Sequence, residues 1–315
     1  MDVIALAGGV GAGKFLRGLQ RVVDPDDVTV VVNTGDDVTL HGLHISPDVD
    51  SVMYWLAGEA DRERGWGRGG ETFRSLGEVK RLGGASWFGL GDLDLATHLV
   101  RTQLLSEGRS LTEATDHLRR RLGVDATILP MSDDPVATMI HAVTPEGEGM
   151  YMHFQVYWVQ RGARDEVKAI RYEGADDAAP APGVIEAVAA ADAVLICPSN
   201  PVVSIGPILA LPGMRDAVRA RRDRVAGVTP IVAGAPLRGM ADRLMPAAGL
   251  EVTALGAGRA YADLLSGWVV DERDAGLADR IESELAVRVA VTDAVMHDDE
   301  AAERLARQAL DLALA

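Results

Sequence analysis

The sequence predicts an α/β protein built on a doubly wound, mostly parallel sheet, with a smaller β-rich insertion. Three observations carry this. Short, almost continuous apolar runs, rather than alternating ones, recur along the chain, as strands covered on both faces require. Stretches of helical character separate them. The first two runs, 2–7 and 28–32, end in loops dense in glycine and aspartate, and in such sheets ligands bind outside the carboxyl ends of the strands.

The run 2–7 enters Gly8-Gly9-Val10-Gly11-Ala12-Gly13-Lys14, with a helix expected from about Phe15. The spacing fits G-x-x-x-x-G-K, but Phe15 stands where a P-loop needs a Ser or Thr for Mg²⁺, and the glycines miss the dinucleotide fingerprint. Two readings remain. The glycines let backbone approach a phosphate ahead of a helix N-terminus, or they form a turn that packs strand on helix. The run 28–32 ends at Asn33-Thr34-Gly35-Asp36-Asp37, and Asp48 and Asp50 follow in a helix expected over 48–58. Carboxylates gathered at strand ends suit Mg²⁺, which takes hard oxygen ligands and bridges protein to phosphate. Asp48, behind Pro47, also reads as a helix N-cap.

Residues 61–70 form a charged, glycine-rich loop long enough to act as a flap. Helices are expected at 71–82, 92–107 and 110–122, the last opening with the capping box Ser110-Leu111-Thr112-Glu113. Asp92 reads as an N-cap, and His98 and Arg101 share a helix face at i, i+3, reaching a phosphate or staying solvated. A strand at 126–129 leads to the polar loop Ser132-Asp133-Asp134. Two β-rich stretches in 137–160 flank Glu146-Gly147-Glu148-Gly149, a hairpin signal, with His153 and Gln155 expected on one face of a strand. The insertion 137–183 reads as a subdomain or a dimer surface between core segments 1–136 and 184–315. Beyond it come a strand at 193–197, the loop Pro198-Ser199-Asn200-Pro201, a helix near 212–222, a strand at 230–233, helices near 240 and 260, and an amphipathic helix at 299–314.

Composition narrows the function. Hydrophobic residues make up 48% and charged residues 25%, so the chain can bury a core and is not disordered. Its 47 acidic and 31 basic residues leave a formal charge of −16, which repels nucleic acid and anionic membranes. Phosphates must then be bound locally, by backbone N–H groups, a few cations or a metal. Cys197 stands alone, excluding an intrachain disulfide and a cysteine zinc site. No signal peptide is evident and no apolar run reaches about 18 residues, so a cytoplasmic location is expected.

The motifs, taken in order, are similar to those of one family. They are Ala7-Gly8-Gly9-Val10-Gly11, Val32 to Asp37, His44-Ile45-Ser46-Pro47-Asp48-Val49-Asp50, Arg64-Gly65-Trp66-Gly67, Leu90-Gly91-Asp92-Leu93-Asp94-Leu95-Ala96-Thr97-His98, Leu129 to Val136, Met152-His153-Phe154-Gln155, and Pro198 to Ile208. This set resembles the 2-phospho-L-lactate transferases of coenzyme F420 biosynthesis, over nearly the whole chain. The resemblance implies a Rossmann-like, Mg²⁺-requiring homodimer. Such an enzyme transfers a phospholactyl or phosphoenolpyruvyl group from a guanosine diphosphate-linked donor to the deazaflavin Fo, and GMP leaves. It also implies site residues: Asp36 and Asp50 for catalysis; Asp36, Asp37 and Asp50 for the metal; Asp50, Gly89 and His98 for the deazaflavin. Gly8, Gly9, Gly11, Gly13, Lys14, Asn33, Ser199 and Asn200 fall to the nucleotide donor, with Arg17 a further cation near it. Glycine at 89 leaves only a backbone contact where relatives can carry a longer basic residue. The alternative is a nucleotide-sugar-binding regulatory protein of the same superfamily, against which the acceptor-side segments Ser46–Tyr54 and Gly91–His98 argue.

Overall fold

The computed structural model describes all 315 residues, Met1–Ala315. Seven strands form the central sheet: β1 Val3–Ala7, β2 Val28–Val32, β3 Thr127–Pro130, β4 Ala193–Ile196, β5 Val225–Val228, β6 Gly267–Asp271 and β7 Arg288–Thr292. Every neighbouring pair is parallel, in the order 7-6-5-4-1-2-3. The fold is therefore Rossmann-like. The order reverses at β1, which pairs with β2 on one side and β4 on the other, and the crevice at that reversal is the expected ligand position.

The uniform apolar runs are explained by two cores, one on each face. Ile4 and Leu6 of β1 enter one core, and Val3, Ala5 and Ala7 the other. Each of the Val, Ile and Leu side chains contributes roughly 1.5–3 kcal/mol when fully buried. Beneath the second core lie α1 (Gly9–Leu19), α2 (Pro47–Ala57) and the last helix, α4 (Asp299–Leu314). The α1 and α4 backbones meet at Gly18, where any Cβ would overlap the main chain at Ala302. The helix α3 (Asp92–Ser106) packs on the short strand Leu43–Ile45, and the next helix opens with the expected capping box, Glu113 N–H to Ser110 Oγ at 3.2 Å and Ser110 N–H to Glu113 Oε2 at 2.9 Å.

Four local readings change. The helix after β1 starts at Gly9 rather than near Phe15, because extended Gly8 and Gly9 at φ +72 complete the turn at once. The central strand expected at 230–233 lies earlier: β5 ends at Val228, and after Pro230, which has no N–H to give a ladder, Ile231–Val232 pairs with Ala235–Pro236 in a small hairpin. Gln155 does not share a strand with His153, since the strand Gly149–His153 ends there and a helical turn follows. Strands β6 and β7 extend the sheet beyond the strands the sequence predicts. Residues 137–173 form a separate antiparallel sheet from Ala137–Val143, Gly149–His153 and Glu166–Glu173. No helix is long and apolar enough to cross a membrane.

Candidate active site

A cavity of about 960 Å³ opens at the order reversal. Its wall on the β1 side is the turn Gly8–Gly11, and on the β4 side the loop Pro198–Asn200. The two are locked together: Ser199 Oγ donates to the Gly8 carbonyl at 2.9 Å and accepts from the Gly8 N–H at 3.3 Å. Gly11 allows this approach, because a Cβ there would lie 2.5 Å from the Pro198 carbonyl. Gly13 faces away from the cavity onto Trp55, whose ring a Cβ would meet at 2.5 Å. Lys14, half-buried on α1, lines the cavity; Arg17 does not, and is held by Asp299 at 3.6 Å and the Leu56 carbonyl at 3.3 Å. Asn200 spends its side-chain oxygen on the N–H groups of Val202 and Val203, so its amide nitrogen is what remains for a ligand.

The floor is acidic and layered. Asp36 and Asp48 are buried next to the glycine turn. Asp48 reads as an N-cap in sequence, yet Ser46 holds the cap position and the Asp48 carboxylate instead accepts from Asn33 Nδ2 at 2.9 Å. Asn33 also donates to the Val203 carbonyl, so its role here is to hold Asp48 and the β4 loop, outside the cavity lining. Burial, partly offset by Asn33, pushes the Asp48 carboxyl up to about 7. Burial, then the neighbouring charge of Asp48, pushes Asp36 well above the carboxylate range. One oxygen of Asp36 accepts from Gln155 Nε2 at 3.3 Å and the other has no partner. Asp37 turns out of the cavity to His44 Nε2 at 2.8 Å and Ser46 Oγ at 2.5 Å.

A second acidic layer lies under the other end. Asp50 receives both arms of the Arg101 guanidinium, one at 3.0 Å from Nη1 to Oδ2. His98 stands between carboxylates, 3.5 Å from Asp50 and 3.3 Å from Asp94, and Tyr54 donates to Asp94 at 2.7 Å. Burial raises the Asp94 carboxyl, but the hydrogen bond and charge of His98 outweigh it and leave the group below its ordinary value. His98 and Arg101 thus point inward to carboxylates, not to solvent. Sequence reasoning missed Asp94 and Tyr54 as site residues and offered Arg101 only as a phosphate or solvent contact. The signal was Asp94, His98 and Arg101 at helical spacing on one face. Asp92, expected as the α3 cap, caps a neighbour instead, accepting from the N–H groups of Arg74 and Ser75 at the start of the helix Arg74–Arg81.

Aromatic residues close the far wall. Trp66 comes from the loop 61–70 and lies against Gly89, where a Cβ would meet the indole at 2.7 Å. Phe88 and Trp158 also line the cavity. Glu71 anchors the loop: its shielded carboxylate accepts from the Arg68 N–H at 3.0 Å, Arg64 Nη2 at 3.4 Å and the Asp94 N–H at 3.2 Å.

The residues present fit Mg²⁺ best at Asp36. It offers a buried carboxylate oxygen with no partner, beside a second carboxylate whose burial costs free energy while unneutralised, and carboxylate oxygens are what this ion takes. Asp50, Asp94 and His98 also converge closely enough to surround an ion, but Arg101 already supplies the countercharge for Asp50.

Fold and cavity define a Rossmann-like α/β protein whose switch-point cleft joins a glycine turn, a carboxylate floor and an aromatic wall. Residues 3–312 match the model of the family described as 2-phospho-L-lactate transferase CofD. The chain belongs to that family of transferases. It is 48% identical over 315 residues to a phosphoenolpyruvate transferase of Streptomyces griseus, covering 99% of this chain and 98% of the other. A phosphoenolpyruvate transferase of Mycolicibacterium smegmatis is 43% identical over 329 residues, covering 99% of each. In fold, the chain is similar to a UPF0052 family protein of Bacillus halodurans, with TM-score 0.64, 16% identity and 98% of each chain covered.

Proposed function

We propose that this transferase moves a phosphoenolpyruvyl or phospholactyl group from a guanosine diphosphate-linked donor to the terminal ribityl hydroxyl of Fo. The hydroxyl oxygen bonds to the phosphorus bearing the arm, the anhydride bond to the other phosphorus breaks, and GMP leaves with its electron pair. The product is dehydro-F420-0 or F420-0. The observation that carries the reading is one cavity lined together by a glycine turn, carboxylates and aromatic side chains. The names of the relatives favour the phosphoenolpyruvyl arm.

In this reading the glycine turn and the Asn200 amide hold the donor, and the aromatic wall takes the flat deazaflavin. Transfer between two bound substrates needs positioning and charge neutralisation more than a covalent nucleophile. Asp50, fixed by Arg101, accepts a hydrogen bond from the attacking hydroxyl and orients it. The hydroxyl's proton passes to this carboxylate as the new oxygen–phosphorus bond forms. Asp36, with Asp48 beside it, would hold Mg²⁺, which when bound neutralises phosphate charge.

The test is direct. Protein, Fo, the donor and Mg²⁺ are mixed, and GMP and the product are measured by mass spectrometry. Appearance of both in equal amounts supports the reading. Binding of a UDP-sugar with no transfer would replace it with a nucleotide-sugar-binding regulator.

A further inference from the structure

Two cations line the cavity, Lys14 and Arg238, and neither has a carboxylate partner. Lys14 Nζ has one hydrogen bond, to the Met296 carbonyl at 3.4 Å, and lies over the Trp55 ring at 5.7 Å. Arg238, exposed at the rim on the turn after the small hairpin, donates to the carbonyls of Arg64 at 2.7 Å and Glu63 at 3.2 Å. Both carbonyls belong to the loop 61–70. The seat is shaped for the guanidinium: Gly65, at φ +81, leaves open the volume that Arg238 Nη1 fills, and any side chain at 65 would overlap it. Arg62 approaches Lys14 from the same loop but is paired with Asp299 at 3.0 Å.

This charge is unmatched in a chain of net charge −16. The wholly buried Arg101, by contrast, is matched at both arms. Burial first, then the charges of Arg238 and Arg62, push the Lys14 ammonium below its ordinary value, so unlike the carboxylate floor this corner is short of negative charge. An arginine fork and a lysine point charge together are a phosphate-binding set.

We propose that Lys14 and Arg238 form one phosphate site for the diphosphate of the donor, and that Arg238, gripping the carbonyls of Glu63 and Arg64, couples filling of that site to seating of the 61–70 flap. The identity of the diphosphate as the donor's rests on the transferase reading; the anion site and the coupling do not. Arg238 is a binding and positioning residue, delivered from the C-terminal half to a flap of the N-terminal half.

Inorganic pyrophosphate, GDP and guanosine are titrated calorimetrically into the full chain, wild type, Arg238→Ala and Arg238→Lys. Trypsin cleavage after Arg64 and Arg68 is followed with and without pyrophosphate. Wild type should bind pyrophosphate and become more slowly cleaved. Arg238→Ala should bind pyrophosphate and GDP at least tenfold more weakly, with guanosine unaffected and no protection of the flap; Arg238→Lys should recover part of the affinity but not the protection. The exposed position leaves the melting temperature unchanged, which separates lost binding from lost folding. Equal pyrophosphate and GDP affinity in wild type and Arg238→Ala, or no pyrophosphate binding by wild type, overturns the site. Protection that persists in Arg238→Ala overturns the coupling. Intact pyrophosphate binding with no product from Fo would remove the transferase reading and leave the anion site standing.

Discussion

Arg101 grips Asp50 with both arms of its guanidinium from across the α2–α3 interface, and none of the arginine side chain reaches solvent. The pair is separated by 51 residues in sequence, and each charge is the other's principal compensation. A carboxylate held this way cannot rotate, so its orientation toward the cavity is set before any ligand arrives. Asp50→Ala strands a buried guanidinium and should cost about 3–5 kcal/mol of stability. Asp50→Asn should cost less, because it keeps the shape and one acceptor. A loss of transfer in Asp50→Asn far beyond its loss in chemical-denaturation stability would assign the carboxylate a part in the reaction. A loss no greater than the stability change would make it structural.

The pH dependence of stability has a definite sign. The Asp48 carboxyl sits at about 7 in the fold against 3.8 ordinarily. Below about pH 4 folded and unfolded chains both hold this proton; above that, only the fold keeps it, so stability declines as pH rises toward 7 and then levels off. Asp36 is raised in the same direction. Melting temperatures in metal-free buffer should fall between pH 5 and 8, and Asp48→Asn should flatten that slope. A stability that climbs over this interval and is unaltered by the substitution would mean the pair is not protonated in the fold.

The contact of α1 with α4 leaves no room for a methyl group. Any Cβ at Gly18 overlaps the Ala302 main chain, and backbone cannot rotate aside as a side chain can. Gly18→Ala should destabilise the protein by about 1–3 kcal/mol despite the better helix propensity of alanine. Chemical denaturation would show this; a stabilised variant would mean that the two helices separate easily.

Glu71 predicts a protease phenotype. Its carboxylate collects N–H groups from the flap and from the first turn of α3. Glu71→Ala should release the flap and speed trypsin cleavage after Arg64 and Arg68, with cleavage elsewhere unchanged. Glu71→Gln, which keeps one acceptor oxygen, should fall between. Uniform acceleration at all sites would indicate general unfolding.

Cys197 is buried at the end of β4, and burial drives its thiol well above the ordinary range. Disulfide reagents should leave the native chain untouched and titrate one thiol on unfolding. Rapid native labelling would show that the β4 loop opens.

Much of this architecture is legible in the chain because its causes are local. The run 28–32 has apolar side chains on both faces and becomes a strand at those residues; Ser110 and Glu113 have the spacing of a reciprocal cap and form one. Aspartates are read less well. Asp48 and Asp92 each sit where a cap belongs, but a carboxylate satisfies whichever N–H groups the tertiary fold brings near, and for both these lie on another segment. Tyr54 and Asp94 meet across 40 residues, and Arg238 reaches the flap across 174. No periodicity records such distances, so the floor and rim of the cavity emerge only in three dimensions. The strand expected at 230–233 starts on a proline, which cannot donate to a ladder, and the central strand ends before it at Val228.

The place of β1 between β2 and β4 has a consequence for how the protein is made. This strand is made before both its partners, and one of its two edges stays unpaired until residue 193 and those after it have been synthesised. The glycine turn waits with it, since Ser199 is the side chain that closes on Gly8. The cleft is thus a seam between an early and a late half of the chain. A nascent polypeptide has no cavity until its second half arrives, and the first half must be kept from offering that bare edge to another chain in the meantime.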